Sequence, residues 1–124
     1  MVEIQNTALS RLKSGELALG IGLRQARSVD VGRIMKSCGY DWIFIDMEHG
    51  SMSVDTTAQI SIAAADAGIT PIVRLPGFQH FHATRVLDAG AQGIVFPHVY
   101  NAKIAQTLAS FVSYPPIGHR SVVG

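Results

Sequence analysis

The chain has 124 residues, of which 48% are hydrophobic and 15% are charged, and its formal net charge is +1. This length provides one modest domain, and its scattered basic residues argue against the concentrated positive patch of a nucleic-acid-binding protein. The apolar composition predicts that more of the chain or a partner subunit covers part of the surface. Because no apolar run approaches the roughly 20 residues of a membrane span, and no signal-peptide core is evident, we expect a soluble cytoplasmic protein without membrane or nucleic-acid partners.

Strand-like and helical patterns alternate along the chain. An initial helix is predicted over residues 4–14, and helices over 28–37, 53–67 and 78–87 follow, with a last one from Asn101 to just before the Tyr114-Pro115-Pro116 segment. Ser28 and Ser53 are suitable N-caps, and a glycine follows each of the first four helices. Apolar strands are predicted over 18–23, 42–45, 70–75 and 93–96. Their near-continuous apolar character is typical of parallel strands covered on both faces.

This alternation predicts an α/β fold with a parallel sheet. Four βα units are half of a (β/α)8 barrel, which typically needs about 250 residues. An open four-stranded sheet is the competing arrangement. Residues 118–124 have the character of the start of another loop, so we expect residues 1–124 to form one partial barrel domain that is truncated at its C-terminus. The single cysteine, Cys38, is typical of a reducing compartment and is expected to be buried at a helix end.

Ionisable residues follow the predicted strands at the point where each strand ends. The second strand leads into Asp46, Glu48 and His49, the third reaches Arg74, and the fourth leads to His98. Because the carboxyl ends of parallel strands lie on one side of the sheet, these groups should share one edge. An arginine fork and a histidine that exchanges protons near neutral pH favour a small anionic substrate.

Each of these residues also has a structural interpretation. The two carboxylates are equally able to cap the next helix or to pair with an arginine, and Arg74 can form a salt bridge between loops. His49 can serve as a hydrogen-bonded loop histidine. We expect a structural role for His98, because nothing near it in the sequence completes a catalytic group.

Four motifs together resemble one family. They are IDMEHG at 45–50, PIVRLP at 71–76, LDAGAQG at 87–93 and YPPIGHRS at 114–121. In order and spacing they are similar to the HpcH/HpaI aldolases, and the similarity runs from about residue 15 to the end of the chain. The resemblance implies a (β/α)8 barrel that cleaves 2-oxo-acid aldols into pyruvate and an aldehyde, in oligomers that are usually hexamers.

The resemblance also implies a cofactor. Family members use a divalent metal, usually magnesium, manganese or cobalt, which binds the pyruvate enolate and acts as a Lewis acid. A Schiff-base lysine is not required, and no lysine stands at the end of a predicted strand. The family's metal ligands, a glutamate and an aspartate at later strand ends, are expected beyond Gly124, so no metal ligand is assigned within the chain. The fragment alone is therefore expected to have little or no activity.

Site residues follow from the resemblance by position. His49 matches the proton acceptor, and Arg74 matches the residue that stabilises the enolate oxygen and the pyruvate carboxylate. Asp88 matches an aspartate that raises the basicity of the histidine, although the predicted topology places it at a helix end, on the wrong side of a simple barrel. Supporting positions are Asp46 and Glu48, which match carboxylates that organise His49, and Arg120, which matches a loop arginine without an assigned role.

Two other functions are open at this point. A half-barrel can be a non-catalytic binding or assembly module that pairs its exposed sheet edges with another chain. A citrate-lyase β-like enzyme acting on CoA esters is the second alternative. The Asp-x-Glu-His pattern after the second strand favours an aldolase over this lyase.

Overall fold

A computed structural model describes residues 4–122, which form one parallel sheet flanked by helices. The elements in chain order are α1 Thr7–Lys13, β1 Gly20–Leu23, α2 Val31–Ser37, β2 Trp42–Asp46, α3 Val54–Asp66, β3 Thr70–Arg74, α4 His80–Asp88, β4 Gly93–Val95 and α5 Ala102–Val112. Each predicted strand and helix is present, with ends that differ by a few residues. No helix within residues 4–122 is both long enough and apolar enough to cross a lipid bilayer.

The strands lie in sequence order, β1-β2-β3-β4, and every neighbouring pair is parallel. Successive strands are joined by α2, α3 and α4, so each is reached by a crossover helix. This is the arrangement of one half of a βα barrel, and it confirms the predicted α/β class and the (β/α)4 topology. Because β1 and β4 each pair with one strand, the sheet of the described residues has two open edges.

Local sequence sets most helix ends. The side chain of Ser53 accepts a hydrogen bond from the Thr56 N–H and caps α3, and Asn101 caps α5 in the same way. Gly68 follows α3 with a φ of 74°, a left-handed conformation that glycine adopts without a steric penalty. The prediction that Ser28 caps α2 is wrong. Its carbonyl accepts from the N–H of Val31 in a turn, and α2 begins only after Asp30.

The core lies between the sheet and the helices. Its fully buried members include Ile43, Ile45, Ile60, Val73 and Val86. The strand residues among them alternate with neighbours that are less buried, and the helix residues come from the inner faces of α3 and α4. This packing fixes the strands against one another, so their carboxyl ends form a rigid edge.

The expected burial of Cys38 is wrong, since this residue is exposed at the C-cap of α2. Several large apolar side chains are also exposed, among them Leu17 and Ile117 at 71% and 86%. They contribute to the apolar composition of the chain. Their coverage by further protein stays a prediction.

Candidate active site

The predicted polar residues meet at the carboxyl edge of the sheet. Asp46 ends β2 and lies in register with Arg74, which ends β3. Arg74 in turn lies in register with Val95 at the end of β4, three positions before His98. Because parallel strands end on one side, the loops after β2 and β4 approach each other across β3.

Asp46 and Arg74 form a two-pronged ion pair. Arg74 Nε donates to Asp46 Oδ1 at 3.1 Å, and Arg74 Nη2 donates to Oδ2 at 2.6 Å. Asp46 Oδ1 also accepts the backbone N–H groups of Glu48 and His49, at 3.0 and 3.1 Å. One carboxylate therefore fixes both the arginine and the start of the loop that carries the other two ionisable side chains.

The ion pair shifts the titration of both partners. Its hydrogen bond to Arg74, aided by the two backbone N–H donors and opposed by burial, lowers the pKa of Asp46 from 3.8 to about 2. The same hydrogen bond raises the pKa of Arg74 above its ordinary value. The Phe44 ring adds an apolar support, with its centroid 5.6 Å from Arg74 Cζ. The pair is consequently charged throughout the physiological range.

A close turn follows the ion pair. A Cβ atom on Gly50 would lie 2.3 Å from the carbonyl oxygen of Asp46, so only glycine fits there. This tight return explains why a glycine comes directly after His49. It brings the backbone after His49 back against the end of β2.

Glu48 connects the remaining groups. Its Oε2 lies 3.1 Å from Arg74 Nη1 and 3.6 Å from His49 Nε2. Its other oxygen, Oε1, lies 2.5 Å from His98 Nε2. Glu48 is only 12% exposed, whereas the His49 and His98 side chains are 55% and 79% exposed. A nearly buried carboxylate thus stands between two imidazoles that are open to solvent.

His98 is the site residue whose environment the sequence did not reveal. The sequence predicts a structural role for His98, because no neighbour in the sequence completes a catalytic group. The partner, Glu48, is 50 positions away and comes from the far side of β3. In the sequence, the feature that indicates a place at the site is that His98 follows the end of a predicted strand.

Asp88 and Arg120 lie together, apart from this cluster. Asp88 is the last residue of α4, and its Oδ1 accepts a 2.7 Å hydrogen bond from Arg120 Nη2. Arg120 also lies over the Tyr114 ring, with Cζ 4.8 Å from its centroid. Among the described residues, Asp88 makes no hydrogen bond or ion pair with His49, because α4 returns the chain to the amino end of β4. The catalytic role that the resemblance gives to Asp88 stays a prediction.

The described residues do not by themselves fit a divalent metal. Within residues 4–122, no three His, Cys, Asp or Glu side chains converge as a ligand set. Both oxygens of Asp46 are already bound to Arg74. The ligand positions expected beyond Gly124 stay a prediction.

Replacement of Asp46 by asparagine is expected to lower the free energy of unfolding by about 2 kcal/mol at neutral pH. The folded pKa of Asp46 is about 2 and the ordinary value is 3.8, so its stabilising effect is complete above about pH 4 and is lost as the pH falls towards 2. Urea unfolding at several pH values measures this. The difference between wild type and Asp46→Asn should shrink across that acidic window.

The exposed Asp66 at the end of α3 offers the matched control. Asp66→Asn should change the unfolding free energy by less than about 0.5 kcal/mol. A destabilisation by Asp46→Asn that is equal at all pH values would contradict the ion-pair argument.

Comparisons with known proteins show the family to which the chain is similar. Residues 25–124 match the model of the family described as HpcH/HpaI aldolase/citrate lyase. The chain is 36% identical to the 4-hydroxy-4-methyl-2-oxoglutarate aldolase of Hapsidospora irregularis, across 100% of this chain and 46% of that protein. It is 35% identical to the hydroxypyruvate/pyruvate aldolase of Sagittula stellata, across 97% of this chain and 47% of that protein.

Solved structures give the same result. The HpcH/HpaI aldolase of Desulfitobacterium hafniense superposes with a TM-score of 0.90 at 29% identity, over 97% of this chain and 46% of that one. The citrate synthase SbnG superposes with a TM-score of 0.87 at 32% identity, over 95% and 48% of the two chains. The chain spans about half the length of the curated relatives it matches. With its half-barrel topology and the motifs at its carboxyl edge, the chain belongs to the HpcH/HpaI aldolase/citrate lyase family.

Proposed function

We propose that this chain contributes the base and the arginine of a carbon–carbon lyase that cleaves a 2-oxo-acid aldol into pyruvate and an aldehyde. The observation that carries the proposal is the juxtaposition of Arg74 and His49. Asp46 binds the arginine side chain and the backbone N–H of His49 at once, so one carboxylate holds the guanidinium beside the backbone that carries the imidazole. Relatives named for aldolase activity on 2-oxo acids support the substrate class.

The reaction needs one proton to move and one bond to break. His49 accepts the proton of the 4-hydroxyl group, and the electrons of that O–H bond form the aldehyde carbonyl as the C3–C4 bond breaks. The electron pair of the broken bond forms the enolate of pyruvate, and Arg74 stabilises its oxygen. The proton held by His49 then returns to C3, which gives pyruvate and restores the base.

Arg74 is able to bind substrate without leaving Asp46. Two of its N–H groups are used by Asp46, and each terminal nitrogen carries a further N–H. With both histidines neutral, Asp46, Glu48 and Arg74 together carry a net negative charge. An additional positive group at this edge would therefore favour an anionic substrate.

Family aldolases are generally dependent on a divalent metal, which supplies Lewis-acid stabilisation of the enolate. Magnesium, manganese and cobalt are the candidates we propose for the whole protein. A cation would also add positive charge beside Asp46, Glu48 and Arg74. We further propose a cytoplasmic homo-oligomer as the working form and residues 1–124 as one partial barrel domain.

A non-catalytic assembly module is the second candidate, and the two open sheet edges favour it. Such a module would pair its edges with another chain and would not need an ordered base. Size-exclusion chromatography of the chain with and without a partner half-barrel would detect this pairing, and the assay below separates pairing from catalysis.

The 124-residue chain alone is expected to release little or no pyruvate from a 4-hydroxy-2-oxo acid in the presence of manganese, relative to a control with manganese and no protein. The physical reason is that the described residues offer no ligand set for the metal. Pyruvate is measured with lactate dehydrogenase, for the chain and for the full protein with any sequence that continues past Gly124.

The two arms of this assay have different consequences. Robust turnover by the chain alone would refute the division of the site between two halves. No turnover by the full protein with any of the three metals would refute the lyase assignment.

A further inference from the structure

We propose that Arg24 binds a second carboxylate, which is carried by the aldehyde half of the substrate. The preferred substrate is then a 4-hydroxy-2-oxo diacid rather than a monoacid. This inference rests on the lyase activity proposed above and adds the substrate class to it. In this arrangement, Arg74 binds the 2-oxo-acid end and Arg24 binds the acid group at the opposite end.

The position of Arg24 beside Asp46 is the first observation behind this proposal. Arg24 directly follows β1, whose last residue, Leu23, is in register with Ile45. One position further along both strands, Arg24 is level with Asp46, and Asp46 is in register with Arg74. Neighbouring strands lie about 4.8 Å apart, so the backbones of the two arginines are roughly 10 Å apart, on either side of β2. A small diacid is therefore short enough to contact one arginine at each end.

The turn after β2 holds the backbone of Arg24 at this place. A Cβ atom on Gly50 would lie 3.0 Å from the carbonyl oxygen of Arg24, so the two segments are in close contact. Arg27 adds a second contact, since its side chain donates to the backbone carbonyl of Ser51 at 3.2 Å and to the Ser51 hydroxyl. The loop that carries Arg24 is thus fixed against the loop that carries His49.

The alternation of side chains along the strands indicates the face to which Arg24 belongs. Leu23 and Ile45 are buried in the core, on the side of the helices. Phe44 precedes Ile45 and lies on the other face together with Arg74, whose Cζ is 5.6 Å from the centroid of the Phe44 ring. Because successive residues of a strand point to opposite faces, Arg24, next after Leu23, belongs to the face of Phe44 and Arg74.

This face is open at the end of β1. Gly22 precedes Arg24 by two positions, and a Cβ atom there would meet no heavy atom of the described residues within 4 Å beyond its chain neighbours. At Gly20, two positions earlier, a Cβ atom would overlap the Trp42 ring. The surface is therefore closed at the start of β1 and open beside Arg24, which leaves room there for the carbon chain of a ligand.

The guanidinium group of Arg24 has its donors available. Within residues 4–122, the exposed Arg24 side chain makes no hydrogen bond and no ion pair, whereas Arg27 is bound to Ser51 and Arg74 to Asp46. A guanidinium carries five N–H donors in a planar fork that fits both oxygens of a carboxylate. An arginine at the site without an acidic partner in the chain is suited to an acidic group of a ligand.

The charge balance of this edge supports a diacid. With neutral histidines, Asp46, Glu48 and Arg74 together carry a net negative charge, which would repel a second carboxylate. Arg24 and Arg27 reverse the sign of the total. Because the Arg27 side chain is already hydrogen-bonded, Arg24 is the group that can bind the second carboxylate directly.

Two substrates that differ in one terminal group test the proposal. The diacid 4-hydroxy-2-oxopentanedioate has a carboxylate where 4-hydroxy-2-oxopentanoate has a methyl group, and cleavage of either releases pyruvate. In the full protein, with any sequence that continues past Gly124, Arg24→Gln is expected to lower kcat/KM for the diacid by about 10- to 100-fold, mainly through KM. For the monoacid, kcat/KM should stay within about twofold of wild type. Chromatographic measurement of pyruvate gives both values.

Arg33→Gln is the matched control, because Arg33 is exposed on α2. It should leave kcat/KM for both substrates within about twofold of wild type. The contact of Arg24 with Gly50 is made by its backbone, which the substitution retains, and circular dichroism checks that Arg24→Gln is folded. An equal loss on both substrates, or no loss on the diacid, would overturn the proposal.

A binding measurement does not depend on turnover. The compounds 2-oxopentanedioate and 2-oxopentanoate lack the 4-hydroxyl group, so neither can undergo the cleavage, and calorimetry gives the Kd of each. Wild type is expected to bind the diacid about tenfold more tightly than the monoacid, and Arg24→Gln should lose this preference. A preference that is absent in wild type, or that Arg24→Gln retains, would refute the role of Arg24.

The two measurements separate this inference from the lyase assignment. If wild type releases no pyruvate from either substrate but shows the binding preference, the lyase assignment fails and the carboxylate site at Arg24 stands. If wild type cleaves both substrates and shows no preference that depends on Arg24, the lyase assignment stands and the inference fails.

Discussion

Replacement of Arg74 by lysine is expected to lower kcat/KM for aldol cleavage by about 10²- to 10³-fold, the usual effect of removing one donor to a developing oxyanion. Lysine keeps the positive charge but loses the planar fork that engages both oxygens of Asp46. The proposed donor to the enolate would move, and Asp46 would lose one of the two hydrogen bonds that it accepts from the side chain at position 74. Steady-state kinetics of the full protein with saturating metal measures the effect.

The exposed Arg33 on α2 provides the matched control. Arg33→Lys should leave kcat/KM within about twofold of wild type, as is normal for a surface change away from the site. If Arg74→Lys also stayed within that range, charge alone would suffice at this position and the fork geometry would have no catalytic role.

Replacement of His49 by glutamine is expected to lower kcat by about 10²- to 10⁴-fold, the range for loss of a general base. KM should change little, because the substrate carboxylate is bound by Arg74 in this proposal. The His49 side chain is 55% exposed, and its backbone N–H, which the substitution retains, is the group that binds Asp46. We therefore expect the unfolding free energy to stay within about 0.5 kcal/mol of wild type.

His119→Gln is the corresponding control, since this histidine is exposed in the loop after α5. It should retain wild-type kcat. A His49→Gln enzyme whose rate constant for cleavage under single-turnover conditions is near that of wild type would show that another group accepts the proton.

Some features of the site could be predicted because they depend on the position of a residue along a strand. Asp46 and Arg74 each end an apolar run, and parallel strands bring such ends to one edge. The sequence therefore predicts that Asp46 and Arg74 lie at the same edge of the sheet. That Asp46 binds Arg74 with both oxygens depends on the strand register, in which the two residues are direct partners. Periodicity does not give the register of a parallel pair.

Other features depended on contacts between loops. His98 has no partner near it in the sequence, and only the packing of the β4 loop across β3 brings it to Glu48. The predicted start of α2 is also wrong, because Ser28 uses its carbonyl in a turn rather than its hydroxyl as a cap. A serine before an apolar periodic segment can do either, and the choice is made by the path of the loop after β1.

The amino-acid sequence by itself determined the number, type and order of the elements, because apolar periodicity and capping residues act over a few positions. It also determined which ionisable residues stand at strand ends. Only the tertiary structure decided which of these groups touch: Asp46 with Arg74, Glu48 with His98, and Asp88 with Arg120 rather than His49. The physical reason is that side-chain contacts over a few ångströms depend on strand register and loop path, and both are set by packing between residues far apart in the chain.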